Sequence, residues 1–237
     1  MERVTTQRLH ISAQYSVELE GVRNDLMTMG GLVEYQIERA IDATLEGDSL
    51  LAEEAIDLDL EVNELERSID EQCTRILVLR QPAAGDLRLV LATIKVTNDL
   101  ERIGDEAVKI GRQAISLTEE GAHKEAGARV RDISRQVNAM LKEALDSFAR
   151  LQVNQAATVI LRDDDIDEAY VAAKDWLTGE IHENPKTLEV SLAYLGILKS
   201  LERVGDHAAN IAEQVIFLTR GVDVRHLDTL ALRNLVS

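Results

Sequence analysis

Two pairs of carboxylates stand four residues apart, Glu101 with Asp105 and Glu202 with Asp206. Each pair is set in the same frame, LERIGDEAVKI at 100–110 and LERVGDHAANI at 201–211. Carboxylates four apart share one face of an α-helix, so each pair can present oxygen ligands in one direction. Such a pair alone is a weak signal, because an acidic chain carries many on solvated faces. The surroundings decide. At about 100° per residue, Leu87, Val90, Leu91, Ile94 and Val108 fall in the sector of Glu101 and Asp105, and Leu188, Leu192 and Leu195 in that of Glu202 and Asp206. The opposite sides are apolar as well, with Val96, Leu100, Ile103, Ala107 and Ile110 in one copy and Ile197, Leu201, Val204, Ala208 and Ile211 in the other. The acids are therefore expected within apolar stripes, and Gly104 and Gly205 between them admit a close neighbour.

Upstream of each pair is another. Asp59 and Asn63 share a face with Ile56, and Asp163 and Asp167 share one with Ile160. If consecutive helices pack antiparallel, Asp59, Asn63, Glu101 and Asp105 converge in one half of the chain, and Asp163, Asp167, Glu202 and Asp206 in the other. Carboxylates gathered in a dry core must be protonated, paired with cations or bound to metal. Neutralisation by Arg102, Arg203 or nearby lysines is one reading. Four matched positions in two copies favour the other, a metal site, and oxygen ligands without cysteine suit Mg, Mn, Ca or ferric iron. His207 and Asn210 lie on or beside the second set, although a histidine beside acids is more often a hydrogen-bond partner.

The elements that must position these groups come from an internal repeat. Residues 42–69 align with 146–173 at an offset of 104, and beyond the loops near Pro82 and Pro185 the offset becomes 101. Each half reads as three helices of roughly 25 to 35 residues, broken at 46–49, 80–86, 151–154 and 182–186, with Asp48 and Asp86 as N-cap residue types. The segment TEEGAHKEAGAR (118–129) marks the boundary. The expectation is an all-α chain of two tandem, pseudo-symmetric three-helix bundles, 1–119 and 120–237, with a tail from 222 that is either a short helix or coil.

Composition agrees. Of 237 residues 45% are hydrophobic, enough for real cores, while two prolines and 3% aromatics suit long helices. A net charge of -17 repels phosphate backbones and argues against nucleic-acid binding. Cys73 is the only cysteine, so no internal disulfide forms; a cytoplasmic home and a role for Cys73 as a small core residue are expected. The N-terminus lacks the apolar core of a secretory signal, and no apolar run approaches a membrane span, so membrane association is expected only through partners. Nucleotide-binding glycine motifs and HExxH are absent, and the one Glu-x-x-His, Glu120 to His123, has no second copy. The alternatives of a carboxylate-bridged metalloenzyme and of a structural dimerising bundle remain; the first lacks the paired motif that such bundles use.

The chain also resembles the PhoU family. The likeness rests on MTMGGLVEYQIERAI (27–41), RQPAAGDLRLV (80–90), LERIGDEAVKI and LERVGDHAANI, and runs nearly end to end. It implies two pseudo-symmetric three-helix bundles and multinuclear metal sites of E/DxxxD type, which carry over onto Asp59 with Asn63, Glu101 with Asp105, Asp163 with Asp167, and Glu202 with Asp206. Magnesium, iron, manganese or zinc are the metals to consider. Asn63 departs from the pattern, and Lys109 stands where the second copy has Asn210, so the first site is expected to hold fewer ions or none. The resemblance further implies a non-enzymatic adaptor, a homodimer that represses the phosphate-starvation response and restrains phosphate uptake. Its partners would be the ATPase subunit of the phosphate ABC transporter and the sensor histidine kinase of the phosphate regulon.

Overall fold

The computed structural model describes residues 2–225 and 231–232. Within them the chain is helical, with no strand: α1 (Glu2–Glu46), α2 (Ser49–Asp57), α3 (Asp59–Arg80) and α4 (Ala84–Glu120) form one bundle, and α5 (Lys124–Arg150), α6 (Val153–Leu161), α7 (Asp163–Glu183) and α8 (Leu188–Arg220) the other. The long helices end where the sequence supplies stop signals. Gly47 and Gly221, at φ 70° and 71°, take the left-handed conformation that terminates α1 and α8. Asp48 caps α2 through its carboxylate, accepting from the backbone N–H groups of Leu50 and Leu51. Asp86 does not cap α4; it lies inside the first turn and accepts a hydrogen bond from the Tyr15 hydroxyl at 3.1 Å.

The middle helix of each bundle is two helices, not one. Leu58 and Arg162 stand at the breaks with right-handed helical dihedrals, so the axis bends without a loop. Bonds spanning three residues, Glu61 N–H to Leu58 C=O and Asp165 N–H to Arg162 C=O, both 3.1 Å, tighten the bend. The residues that follow are acids, Asp59 and Glu61 in α3 and Asp163, Asp164 and Asp165 in α7, which favours a helix N-terminus. The bend thus turns the acids into first-turn residues.

The two bundles share one core. Leu100, Ile103 and Ile110 of α4 and Leu201, Val204 and Ile211 of α8 are wholly buried in a single cluster that spans both repeats. The central helices run antiparallel, since Lys95 lies over the Phe217 ring, Asp99 meets His207, Glu106 meets Arg203 and Gln113 lies beside Gly196. The seam obeys the repeat: adding 101 to Asp99 gives Ser200 and adding 101 to Glu106 gives His207, so the pairs Asp99 with His207 and Glu106 with Ser200 are exchanged by it. Cys73 is buried, and burial pushes its thiol up to about 12, which makes it an inert packing residue. After α8 the chain turns back, and Val224 re-enters the core. Residues 231 and 232 are helical; the remainder of the tail lies outside the described residues.

Candidate functional site

The acidic residues stand on two faces that meet in each bundle, α3 against α4 and α7 against α8, and glycine governs how closely. A Cβ added at Gly104 would lie 3.4 Å from Asp59 Oδ1, 3.3 Å from Val62 Cγ1 and 3.2 Å from Gln36 Oε1. One added at Gly205 would lie 3.5 Å from Asp163 Oδ1 and 3.4 Å from Ile166 Cγ2. In both repeats an aspartate carboxylate therefore rests over the glycine that separates the two acids of the next helix.

The faces are wetter than the sequence predicts. The backs of α4 and α8 form the core, but Leu91 and Leu192, on the acids' own side, are 40% and 47% exposed. Glu202 is buried, Glu101, Asp105, Asp163 and Asp206 are half-buried, and Asp167 is exposed. Periodicity places the acids beside apolar residues and does so correctly; Val90 and Val108 of that sector are buried while Leu91 and Leu192 face outward, so the acids lie at the edge of the core and not in a dry interior. Among the described residues, no three His, Cys, Asp or Glu side chains are already drawn together closely enough to hold a metal ion. The expected four-oxygen convergence is a neighbourhood of acids, not a closed shell.

The two neighbourhoods differ in how their charge is met. In the first, Asn63 Nδ2 donates to Asp59 Oδ2 at 2.9 Å. Arg102 lies across the acid pair, its Nε 3.4 Å from Glu101 Oε2 and its Nη1 3.5 Å from Asp105 Oδ2. Burial, followed by the charge of Asp105, still raises the Glu101 carboxyl above its usual range; Glu66 and Asp59 add to the rise and Arg102 opposes it. In the second, Lys199 Nζ sits 2.6 and 2.5 Å from the two oxygens of Glu202. Asp163 has no such partner. Its Oδ1 is sealed from solvent and accepts no hydrogen bond, and burial, then the charges of Asp206, Asp167, Asp164 and Glu202, push this carboxyl up to about 7. Asp206 is raised likewise, by burial and then by Glu202 and Asp167, with Lys199 and His207 opposing.

His207 and Asn210 take another role. His207 Nδ1 lies 2.9 Å from Asp99 Oδ1, and Asn210 Nδ2 donates to the same oxygen at 3.1 Å. Glu106, which periodicity did not single out, is 5% exposed and binds Lys109 Nζ at 2.8 Å and Arg203 Nη1 at 3.2 Å. Burial alone would raise its pKa; hydrogen bonds from Lys109, Ser200 and Arg203 outweigh that and hold it below the ordinary value. Gln36 of α1 was also missed. It donates to Ala55 C=O at 3.0 Å while its Oε1 is buried and unpartnered beside Gly104. Its only signal is a polar residue on a face with Val33, Ile37 and Ala40. His123, of the lone Glu-x-x-His, caps α5 by accepting from Ala126 N–H and packs edge-on against Trp176.

Of the two neighbourhoods, the second has the donor chemistry that would suit a hard cation. All four side chains offer oxygen, one carboxylate oxygen is buried without a donor, and the glycine leaves no Cβ in the way. In the first, a guanidinium and an amide already answer the acids. A cavity of about 500 Å³ lies at the seam beside the second neighbourhood, lined by Asp163, Asp206, Arg203 and His207 and, from α4, by Arg102 and Glu106.

Comparison with known proteins fits this duplicated architecture. The PhoU domain matches the chain twice, over residues 26–114 and 130–215. The chain is 49% identical over 218 residues to the "Phosphate-specific transport system accessory protein PhoU homolog" of Pseudomonas aeruginosa, covering 92% of this chain and 90% of that one. It is 39% identical, with the same shares covered, to the Escherichia coli "Phosphate-specific transport system accessory protein PhoU". The crystal structure of PhoU from Pseudomonas aeruginosa superposes with a TM-score of 0.86 at 47% identity, over 88% of this chain and 100% of that one. That of the phosphate transport system regulatory protein PhoU from Streptococcus pneumoniae does so with a TM-score of 0.82 at 28% identity, over 89% and 99%. Two copies of the domain, carrying the same glycine-spaced acids in each, make this chain a member of the PhoU family.

Proposed function

We propose that this protein is a non-enzymatic adaptor of phosphate-specific transport. It would bridge the ATPase subunit of the phosphate ABC transporter and the sensor histidine kinase, keep phosphate-starvation genes off and restrain uptake. The observation that carries this reading is the near-complete match to relatives named as accessory and regulatory proteins of the phosphate transport system. No helix among the described residues is long and apolar enough to cross a membrane, in keeping with a cytoplasmic protein that reaches the membrane through partners. Rigid helical faces suit docking of partner helices, and a homodimer is part of the same reading.

The second acidic neighbourhood, Asp163, Asp167, Glu202 and Asp206, is the proposed cation site, for Mg, Mn, Fe or Zn; bound metal would neutralise the acids and brace α7 against α8. In the first repeat, Arg102 on Glu101 and Asp105 favours the competing reading, a structural ion pair.

The test is alkaline phosphatase reporter activity in phosphate-rich medium, in a bacterium lacking its own PhoU and supplied with this chain. Silencing of the reporter supports the adaptor reading. A reporter left on by soluble chain, there and in the source organism, would sink it. In the same strains, Glu202→Gln with Asp206→Asn should lower metal content and melting temperature together, because a ligand bound only by the folded state stabilises it.

A further inference from the structure

Arg102 and Arg203 occupy equivalent places in the repeat, each with a glutamate one residue before and an aspartate three residues after. They behave differently. Arg102 folds back onto its own Glu101 and Asp105, whereas Arg203 turns away from Glu202 and Asp206 and crosses the seam to Glu106, 3.2 Å away.

The residue across the seam explains the difference. Opposite Arg203 is a buried carboxylate, which needs cationic or hydrogen-bonding partners and takes them from Lys109, Ser200 and Arg203. The repeat equivalent of Glu106 is His207, which sits opposite Arg102 and is already engaged with Asp99. An imidazole carries no negative charge to draw a guanidinium across the seam, and Arg102 stays on its own acids.

We propose that Glu106 is a positioning residue: by drawing Arg203 across the seam it keeps the second acidic centre open to a cation, while the lack of a carboxylate at His207 leaves the first centre closed by Arg102. This rests on the reading of the second centre as a cation site. One side chain on the other repeat thus decides which of two similar sets of acids is spanned by its own arginine. The guanidinium fork can span two carboxylates where an ammonium holds one, which is why Lys199, on Glu202 alone, does not close the second centre.

Manganese(II) titration of the metal-free chain, read by the electron paramagnetic resonance of free ion, tests this. Glu106→Gln should weaken the tight site about tenfold or more, Arg203→Gln should leave it near wild-type, and the double variant should recover it. Arg102→Gln should add a second equivalent of bound ion. Should Glu106→Gln fail to fold, Glu106→His, which makes the repeats alike at this position, gives the same reading. Undiminished binding in the Glu106 variants, or failure of Arg203→Gln to rescue them, overturns the proposal alone. A wild-type chain that binds no manganese, magnesium, iron or zinc overturns the cation-site reading and this proposal with it.

Discussion

Glu213 shows what a half-buried carboxylate does when its inner oxygen has no hydrogen-bond partner. Its Oε2 is sealed and unpartnered, and burial, then the charge of Asp223, push it up to about 7; Asp99 adds to the rise while Arg225 and Lys95 oppose it. A folded-state pKa above the ordinary 4.5 means that the folded chain binds the proton more tightly than the unfolded chain. The contribution is present below the ordinary pKa and is lost as pH rises through about 7. Glu213→Gln should therefore raise the melting temperature at pH 8, with the gain shrinking toward zero by about pH 4; scanning calorimetry across that range checks it. At this scale the sequence was partly legible. The paired acids were visible because spacing of four is a property of one helix. Glu106 and Asp99 were not, because their meaning depends on which helix lies opposite, and periodicity names a face without naming its neighbour.

At the scale of elements, glycine separates two cases that composition treats alike. Gly31 in α1 has nothing within 4 Å of an added Cβ, whereas one at Gly111 in α4 would stand 3.1 Å from the backbone oxygen of Ala52. Gly31→Ala should stabilise by about 0.5–1 kcal/mol through helix propensity. Gly111→Ala should destabilise, since a backbone carbonyl yields less readily than a side-chain tip; urea unfolding of both variants reads the contrast. The repeat and its loops were legible from glycine, proline and apolar spacing. The bends at Leu58 and Arg162 were not, because both residues keep helical dihedrals and neither is glycine or proline. The acidic runs just beyond them, DLE at 59–61 and DDD at 163–165, were the available signal.

For the whole molecule, the shared core sets the unit of folding. Leu201 is wholly buried in the cluster that joins both bundles. Leu201→Ala should cost about 2–5 kcal/mol and move one transition, with helicity and near-ultraviolet signals still melting together; two separated transitions would show that the repeats unfold on their own. An all-α duplicated fold was readable in outline because apolar residues recur at the helical period in both halves. The partial exposure of the acid-bearing face was not readable, since it depends on how far the neighbouring helix covers it, and apolar Leu91 and Leu192 there look like core in sequence.

The seam between α4 and α8 carries one further consequence. Because the contacts of Asp99 with His207 and of Glu106 with Ser200 are exchanged by the repeat, a chain of one repeat would meet the same surface on an identical copy of itself. In such a pair every change is made twice, and each residue must serve on both sides. Joining the copies end to end lifts that obligation: position 106 is free to become an acid while 207 becomes a histidine. Duplication here permits asymmetry: two halves matched by one domain need not carry the same side chains at the seam.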